Sequence, residues 1–353
     1  MKIITVIGAR PQFIKAATVS RKLKEYPEIE EIILHTGQHY DKNISDIFFE
    51  ELNIPSPKYN LNVGSASHGA QTAKMLHDIE EVLLNEKPDC VLVYGDTNST
   101  IAGAMAAVKL HIPVAHVEAG LRSFNRKMPE EINRIVTDAV SDLLLAPTKN
   151  AVKQLNIEGK QESTVFVGDV MYDSVLYYKS MIDKRDKPAI IAGIDSFYLC
   201  TIHRAENTDI EDNLRAIFNA LAQTKKTILL PLHPRTKHII SKMNIKIADN
   251  IRIIEPVGYL DMLSLLVHCD KMITDSGGVQ KEAYFLQKPC ITLRNETEWI
   301  ETLENGWNTL CGANMQAILD ACDSMPGKQT MLEEFGDGNA ADKIIQLMLK
   351  KFS

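Results

Sequence analysis

The 353-residue chain lacks the features that mark several large protein classes. No apolar run approaches the ~20 residues that a membrane-spanning helix needs. The apolar start, residues 1–8, is too short for a signal sequence and has no small-residue cleavage site. The ten histidines form no HExxH or other metal-ligand spacing, and neither a GxGxxG fingerprint nor a GxxxxGK[ST] loop occurs. We therefore expect no membrane span, no metal site and no P-loop.

Charge and cysteine usage restrict the function further. The formal net charge of −7 argues against general binding to nucleic acid or to anionic membranes, although it leaves room for a local basic pocket. The six cysteines are scattered, and several lie in or beside apolar runs that predict strands. They indicate buried thiols in a cytoplasmic protein, in preference to disulfides or a zinc site.

Predicted strands and helices alternate along most of the chain, which indicates parallel sheets covered by helices on both faces. A charged segment with proline and glycine interrupts the alternation at residues 181–196 and predicts a hinge. We expect an α/β protein with two doubly wound, Rossmann-like domains facing a cleft. The domains are residues 1–182 and 190–336, followed by a helix in 337–353 that packs back towards the first domain.

The element boundaries follow from the same pattern. Predicted strands cover 2–7, 32–36, 89–94, 113–117, 143–146, 164–167, 197–202, 227–231, 251–254, 271–274 and 290–293. Predicted helices cover 13–25, 44–53, 66–85, 101–110, 128–140, 209–223, 235–242, 259–268, 278–287, 314–323 and 338–351.

Polar side chains collect just past the predicted strands, where ligands bind in open α/β sheets. They are Arg10, Gln38, Asp96, Glu118, His203, His233 and Ser276. Chance placement would scatter such residues over both edges of a sheet, so this arrangement predicts a site at the carboxyl ends of the strands.

The stretch from Asp275 to Glu282 is the most informative of these strand ends. It follows a predicted strand and opens a helix, with Ser276 placed to cap that helix. Gly277 and Gly278 remove side chains where a ligand would approach the backbone, so the helix start suits a phosphate. The Glu282 carboxylate could then reach the hydroxyls of an attached sugar. The alternative is an ordinary strand-to-helix turn.

The first half of the chain contributes charges of both signs. Arg10 and Lys15, at the start of a helix, suit a diphosphate. A set of carboxylates stands near strand ends, where burial and mutual repulsion move pKa values towards neutrality and permit acid or base chemistry. These are Asp96, Glu118, Glu130 and Glu131. Alternatively, Asp96 caps the next helix and the glutamates complement a helix dipole.

Two further motifs follow strands of the second half. His203 and Arg204 open one, and His233 and Arg235 belong to the other. Either histidine could donate to a phosphate, while His233 also fits an ordinary loop histidine. The arginines add local positive charge to an acidic protein, as an anionic ligand requires.

Six motifs follow one another along the chain. They are Gly8-Ala9-Arg10-Pro11, Gly95-Asp96-Thr97, His116-Val117-Glu118-Ala119-Gly120-Leu121-Arg122, Pro129-Glu130-Glu131-Ile132-Asn133-Arg134, His203-Arg204-Ala205-Glu206-Asn207 and Asp275-Ser276-Gly277-Gly278-Val279-Gln280-Lys281-Glu282. In this order they make the chain resemble the non-hydrolysing UDP-N-acetylglucosamine 2-epimerases. The resemblance covers essentially the whole chain.

The resemblance implies a glycosyltransferase-B architecture and inversion at C2 of the sugar through loss and readdition of UDP. It assigns catalysis to Asp96, Glu118, Glu130 and His203, and UDP contacts to Arg10, Lys15, Ser276, Gly277, Gly278 and Glu282. Further sugar or regulatory contacts are Gln38, His39, Glu131, Arg134, Arg204, His233 and Trp299. It also implies a UDP-sugar substrate, a homodimer, a role in surface polysaccharide synthesis, and neither a nicotinamide cofactor nor a metal.

One departure concerns the sugar. Many members read Thr-Glu-Arg-Pro-Glu where this chain has Thr297-Glu298-Trp299-Ile300-Glu301, so an indole replaces an arginine. This form resembles the branch that acts on UDP-2,3-diacetamido-glucuronic acid, although Trp299 also fits simple packing in a loop. A glycosyltransferase of the same fold and a non-catalytic nucleotide-sugar sensor are the alternatives from other classes.

Overall fold

The chain divides into two compact units, each built around its own parallel sheet. The structure, a computed structural model, describes residues 1–38, 52, 54–232, 234–324 and 333–353. Unit 1 comprises Met1–Ser174 together with Glu333–Ser353, and unit 2 comprises Val175–Leu332. Helices alternate with the strands in both units, so the expected α/β class is confirmed.

The described part of unit 1 contains a seven-stranded sheet. Its strands are β1 (Lys2–Ile7), β2 (Glu30–His35), β3 (Tyr59–Asn60), β4 (Cys90–Tyr94), β5 (Val114–Val117), β6 (Leu143–Ala146) and β7 (Thr164–Phe166). They lie in the order β3-β2-β1-β4-β5-β6-β7, and all pairs are parallel. The chain leaves β1 towards β2 and returns to β4 on the other side. The topological switch point, where such sheets bind ligands, therefore lies between β1 and β4.

Unit 2 repeats this plan with six strands among its described residues. They are β8 (Phe197–Thr201), β9 (Thr227–Pro231), β10 (Ile251–Ile254), β11 (Lys271–Thr274), β12 (Cys290–Thr292) and β13 (Asn308–Leu310). The order is β10-β9-β8-β11-β12-β13, again parallel throughout. Its switch point lies between β8 and β11.

Helices connect these strands. Unit 1 contains α1 (Arg10–Leu23), α2 (His68–Glu86), α3 (Asn98–Lys109), α4 (Pro129–Val140) and α5 (Lys149–Ile157), and α6 (Val170–Ile182) runs across the boundary into unit 2. Unit 2 continues with α7 (Ala205–Thr208), α8 (Glu211–Gln223), α9 (Pro234–Lys242), α10 (Tyr259–His268), α11 (Gly277–Phe285) and α12 (Met315–Asp323). The last helix, α13 (Ala340–Phe352), belongs to unit 1. Among the described helices, none is both long and apolar enough to cross a bilayer.

The central strands are apolar because helices cover both of their faces. In β4, Val91, Leu92 and Val93 have no exposed surface. The turn after β1 lies so close to its neighbours that only glycine fits, since a Cβ at Gly8 would lie 1.9 Å from Thr36 Oγ1. This close approach brings the start of α1 against the other strand ends of unit 1.

The last helix packs against the first one. The Tyr26 hydroxyl, just after α1, donates to Asp342 Oδ1 at 2.8 Å. The Ala341 N–H donates to Asp173 Oδ2 at 2.9 Å, at the start of α13. These bonds attach α13 to the earlier part of unit 1.

Comparison with the predicted elements shows where pattern reasoning succeeds. The strands at 227–231, 251–254 and 271–274 and the helix at 259–268 are confirmed to the residue. Two short strands, β3 and β13, were missed because two or three residues carry no readable alternation. The predicted helix at 44–53 falls almost entirely outside the described residues.

The predicted capping by Ser276 was wrong. Ser276 does stand at the N-cap position of α11 with extended backbone, but its side chain makes no capping hydrogen bond. The backbone N–H of Ser276 donates to Thr274 Oγ1 at 3.0 Å. The hydroxyl therefore does not satisfy the N–H groups of the first helical turn.

Candidate active site

Gln12 joins the two strand ends that flank the switch point of unit 1. Its Oε1 accepts hydrogen bonds from the N–H groups of Gly8 (2.8 Å) and Ala9 (3.1 Å), in the turn after β1. Its Nε2 donates to the carbonyl of Tyr94 at 3.0 Å, at the end of β4. This buried amide thus holds the turn before Arg10 in register with the turn that carries Asp96.

Lys15 of α1 and Glu118, which follows β5, form a buried ion pair beside the Gly95 turn after β4. The Lys15 Nζ lies 2.5 Å from Glu118 Oε1, and the two residues are only 7% and 6% exposed. Glu118 follows β5 and adopts φ +73°, a left-handed conformation that costs a non-glycine residue about 1–3 kcal/mol. The backbone thus turns this carboxylate towards Lys15, which favours its ionised form.

Asp96 forms an ion pair with Arg134 of α4. The Asp96 Oδ2 lies 2.5 Å from Arg134 Nη2, and Arg134 Nη1 lies 2.9 Å from Glu131 Oε2. The expected alternative role of Asp96 as a helix cap was wrong, because Thr97 occupies the N-cap of α3 and accepts from the Thr100 N–H. Asp96 thus stands just after β4 with the Arg134 guanidinium as a neighbour.

Glu131 anchors the loop that precedes α4. Its carboxylate accepts hydrogen bonds from the N–H groups of Ser123 (2.8 Å) and Phe124 (2.9 Å), besides the bond from Arg134. Burial pushes the pKa of Glu131 upwards, but the bonds from Ser123, Arg134 and Phe124 outweigh it and leave that pKa below its ordinary value. Glu131 is thus an ionised clamp for the loop and for Arg134.

His116 and Asp138 hold the two turns that carry Asp96 and Glu118. The His116 Nδ1 lies 2.7 Å from Asp138 Oδ1, and its Nε2 lies 2.8 Å from the carbonyl of Gly95. The Asp138 Oδ2 accepts from the Gly120 N–H at 3.1 Å and from Arg122 Nη1 at 2.7 Å. Burial alone would raise the pKa of Asp138. The hydrogen bond to His116 and the charge of Arg122 outweigh burial, so the pKa of Asp138 lies below its ordinary value.

The remaining predicted residues of unit 1 are more peripheral. Arg10 is exposed at the first position of α1, and Glu130 is exposed in the first turn of α4. Gln38 Oε1 accepts from the N–H of Ser99 at 3.0 Å, next to the start of α3. His39 lies outside the described residues.

In unit 2, Asp275 organises the switch point between β8 and β11. This fully buried carboxylate accepts the N–H groups of His203 (3.0 Å) and Arg204 (3.0 Å) and the Asn207 amide (3.1 Å). Its Oδ1 also lies 3.0 Å from His203 Nδ1, while the His203 side chain is 54% exposed. The contact fixes one ring nitrogen, while more than half of the side chain remains exposed.

The start of α11 is the predicted phosphate turn. Ser276, Gly277 and Gly278 are partly exposed there, and first-turn N–H groups have no carbonyl partner within a helix. Glu282 is buried on the same helix, and Arg204 lies 3.9 Å from Glu206 in an exposed ion pair. His233 lies outside the described residues.

The loop after β12 folds over this helix start. The Thr297 hydroxyl donates to Gln280 Oε1 at 2.8 Å, and Lys281 Nζ lies 3.8 Å from the centre of the Trp299 ring. Trp299 is 4% exposed, so its indole packs in the interior against a cation. Arg294 and Glu298 of the same loop form an ion pair at 3.1 Å. The charged residues thus approach the helix start, while Trp299 contacts Lys281.

The described members of the predicted strand-end set lie at the carboxyl edge of the sheet in their own unit. They are Arg10, Gln38, Asp96 and Glu118 in unit 1, and His203 and Ser276 in unit 2. Gln12, Asp138 and Arg294 were not anticipated as parts of the site, and Asp275 was singled out only as the start of the phosphate-turn motif, without a role of its own. Gln12 had one available signal, because it stands on the first turn of α1 beside Arg10. Asp138 and Asp275 act through partners from distant parts of the sequence, which spacing does not reveal. Arg294 pairs with Glu298, four residues away, but the sequence does not show that this pair lies beside Gly277.

Comparison with known proteins identifies the family. A family model for UDP-N-acetylglucosamine 2-epimerase matches residues 21–349. A UDP-N-acetylglucosamine 2-epimerase homolog of Methanococcus maripaludis is 53% identical over 99% of both chains. A UDP-2,3-diacetamido-2,3-dideoxy-D-glucuronate 2-epimerase of Pseudomonas aeruginosa is 50% identical, over 99% of this chain and 100% of the relative.

Solved structures agree with this assignment. The Methanocaldococcus jannaschii UDP-GlcNAc 2-epimerase in complex with UDP-GlcNAc and UDP superposes with a TM-score of 0.91 at 45% identity, covering 99% of this chain and 100% of that one. The match extends over both units, and the fold is accordingly of the glycosyltransferase-B type. The chain belongs to the UDP-N-acetylglucosamine 2-epimerase family.

Proposed function

We propose that the protein is an isomerase that interconverts UDP-N-acetylglucosamine and UDP-N-acetylmannosamine without hydrolysis. The observation that carries this proposal is the placement of Asp96 and Glu118 just after the adjacent strands β4 and β5, in a chain of the epimerase family. Inversion of C2 requires a proton to leave one face and another to arrive on the opposite face, so it needs at least two titratable groups.

The proposed reaction proceeds by elimination and readdition. A base takes the C2 proton, the C2–H electron pair forms a C1–C2 double bond, and the C1–O bond to UDP breaks. The products are 2-acetamidoglucal and UDP. A UDP oxygen then adds back to C1 while C2 receives a proton on the opposite face. Atoms and charge balance, and no external cofactor is consumed.

The surroundings of Asp96 and Glu118 suit proton transfer. A neighbouring cation favours the ionised carboxylate, and Arg134 and Lys15 supply one for each. Both carboxylates are therefore fit to accept a proton, and we assign the two proton-transfer roles to the set formed by Asp96, Glu118, Glu130 and His203.

Positive groups are proposed to stabilise the leaving UDP. Charge develops on the diphosphate as the C1–O bond breaks, and preorganised donors lower the energy of that state. We assign this role to Arg10, His203 and the backbone N–H groups at Ser276 to Gly278. Glu282 is proposed to bind sugar hydroxyls. The bound UDP-GlcNAc and UDP of the archaeal relative support a nucleotide-sugar ligand.

Solvent deuterium incorporation tests the reaction. Incubation with UDP-N-acetylglucosamine in deuterated water, without an acceptor, is expected to place deuterium at C2 of both epimers. Asp96→Asn and Glu118→Gln are expected to reduce exchange by roughly 10²–10⁴-fold and to leave UDP affinity nearly unchanged. Glu130→Gln tests the exposed carboxylate in the same assay. Failure of every candidate UDP-sugar to exchange at C2 would contradict the proposal.

A second substrate is supported by a specific observation. Trp299 occupies the position of an arginine found in many family members, and a diacetamido-glucuronate 2-epimerase is 50% identical to this chain. The same elimination chemistry would then act on UDP-2,3-diacetamido-glucuronic acid. Side-by-side measurement of kcat/KM for the two UDP-sugars decides between them, because the correct substrate should be favoured by orders of magnitude.

We further propose that the enzyme works in the cytoplasm as a homodimer that supplies precursors of surface polysaccharides. Six buried free thiols are in keeping with a reducing compartment. Light scattering during size-exclusion chromatography tests the dimer, since a mass equal to the 39.5 kDa chain would contradict it.

A further inference from the structure

A carboxylate of the chain itself lies at the phosphate turn of unit 2. A Cβ added to Gly277, the first residue of α11, would lie only 2.6 Å from Glu298 Oε1. The glycine therefore permits Glu298 to approach the helix start. The positive end of the helix dipole and the free first-turn N–H groups favour an anion at this place. Glu298 is the anion that the folded chain supplies there.

Arg294 is the second charged group at this position. It is 3% exposed, and its Nη1 would lie 3.7 Å from a Cβ at Gly277. The Nη1 makes an ion pair with Glu298 Oε2 at 3.1 Å, but it forms no hydrogen bond within the described part of the chain. A guanidinium buried to this degree usually has its donors satisfied. The geometry thus leaves a donor directed at the helix start.

A diphosphate satisfies these groups better than a single carboxylate. Its oxygens can accept from several first-turn N–H groups and from a guanidinium at the same time. Glu298 and a diphosphate cannot share the position, because both are anions and the space beside Gly277 is already filled by Oε1. Binding therefore requires one anion to replace the other.

We propose that Glu298 holds the diphosphate position at the start of α11, and that the incoming diphosphate displaces this carboxylate and takes Arg294 as a ligand. The identity of the ligand rests on the proposed function. Glu298 then lowers the affinity for UDP, and it keeps a buried arginine paired while no nucleotide is bound. Arg294 becomes a UDP-binding residue beyond the set that sequence reasoning provides.

The adjacent Trp299 offers a direct reporter of the displacement. It follows Glu298 in the chain and packs against Lys281. The chain has two tryptophans, so Trp307→Phe leaves Trp299 as the single indole. Addition of UDP or of inorganic pyrophosphate is expected to change its fluorescence, because the loop that carries Glu298 must move.

Calorimetric titration with UDP tests the proposal. Glu298→Gln removes the competing charge at nearly constant size and should lower the Kd roughly three- to tenfold, which corresponds to about 0.7–1.4 kcal/mol. The double variant Glu298→Gln/Arg294→Gln should bind UDP at least tenfold more weakly than Glu298→Gln. Glu296→Gln is the matched control, since it makes the same charge change on an exposed residue of the same loop and should bind like the wild type.

The outcomes separate this inference from the proposed function. If the wild type binds UDP and folded Glu298→Gln binds it no more tightly, Glu298 is not a competitor and only this inference fails. If the wild type does not bind UDP at all, both fail. Should Glu298→Gln not fold, Glu298→Asp keeps the charge for Arg294 but withdraws it by one methylene group. This variant should also bind UDP more tightly, and unchanged affinity would equally overturn the inference.

Discussion

Lys15 Nζ lies 2.5 Å from Glu118 Oε1, although 103 residues separate the two in the chain. The sequence places Lys15 on a diphosphate, whereas its nearest charge in the structure is a carboxylate that stands in a left-handed turn. One lysine can serve both groups, because its three N–H donors allow contact with a carboxylate and a phosphate together. The pair therefore links the acid–base groups to the predicted anion site.

Lys15→Met should change the pH dependence of catalysis. Loss of the ammonium leaves Glu118 buried without a counter-charge, and both burial and the missing charge raise the pKa of that carboxylate. We expect the acidic limb of the kcat profile to move up by roughly 1–3 pH units. Lys15→Arg, which keeps the charge, is the control. An unshifted profile in Lys15→Met would remove Glu118 from proton transfer.

Asp275→Asn should impair turnover more than nucleotide binding. The carboxylate holds His203 through its backbone N–H and its Nδ1, so the amide variant releases the orientation of the ring. We expect kcat to fall roughly 10²–10⁴-fold, the range found for a general acid or base, with a smaller change in KM. Asp270→Asn, an exposed aspartate paired with Lys226, should keep wild-type kinetics. Equal kcat in Asp275→Asn and wild type would mean that His203 does not act in the reaction.

Glu86→Gln should alter stability with pH without touching the site. Glu86, at the end of α2, accepts from Lys58 Nζ (2.6 Å) and from the Tyr59 hydroxyl (2.5 Å). The Lys58 hydrogen bond, followed by that of Tyr59, lowers the pKa of Glu86 from 4.5 to about 2.

The sign of that effect follows from the lowered pKa. A carboxylate with a depressed folded-state pKa stabilises the protein fully above its unfolded pKa, and the contribution is lost as the pH falls through the folded value. Urea denaturation at pH 7 should therefore give a higher free energy of unfolding for the wild type than for Glu86→Gln. This difference should shrink as the pH falls from 4.5 to 2. Glu81→Gln, exposed on the same helix, is the control. A stability difference that stays constant with pH would show that it does not come from the ionised Glu86 carboxylate.

Trp299→Arg tests the position that distinguishes the two candidate sugars. The new guanidinium would replace a ring that lies 3.8 Å from Lys281 Nζ, so two buried cations would repel each other. We expect a lower melting temperature in this variant and its recovery in Trp299→Arg/Lys281→Met. If the loop selects the sugar, the ratio of kcat/KM for the neutral and the uronate substrates should shift in the folded double variant. An unchanged ratio would reduce Trp299 to a packing role.

Sequence reasoning located the strand ends well because parallel strands carry a strong local signal. Asp96 and Glu118 were placed at the sheet edge by the apolar runs that precede them, and the structure agrees. The local sequence pattern does not reveal which charged side chains pair with each other. The contacts of Lys15 with Glu118 and of Asp275 with His203 depend on how separate strands align.

Two helix caps that the sequence allowed do not form. Ser276 stands at the N-cap position of α11, but its side chain makes no capping hydrogen bond. Asp96 was a candidate cap, but Thr97 stands one residue closer to α3. A sequence shows which residues are able to form such bonds, and geometry selects among them.

The assignment of Glu333–Ser353 to unit 1 has a consequence for biosynthesis. A ribosome delivers the polypeptide in order, so the first 174 residues emerge long before the segment that covers α1. While the ribosome synthesises unit 2, the apolar surface of unit 1 that α13 later covers remains exposed. Its folding is completed only at the end of translation, and a message truncated shortly before codon 333 would yield a protein that aggregates.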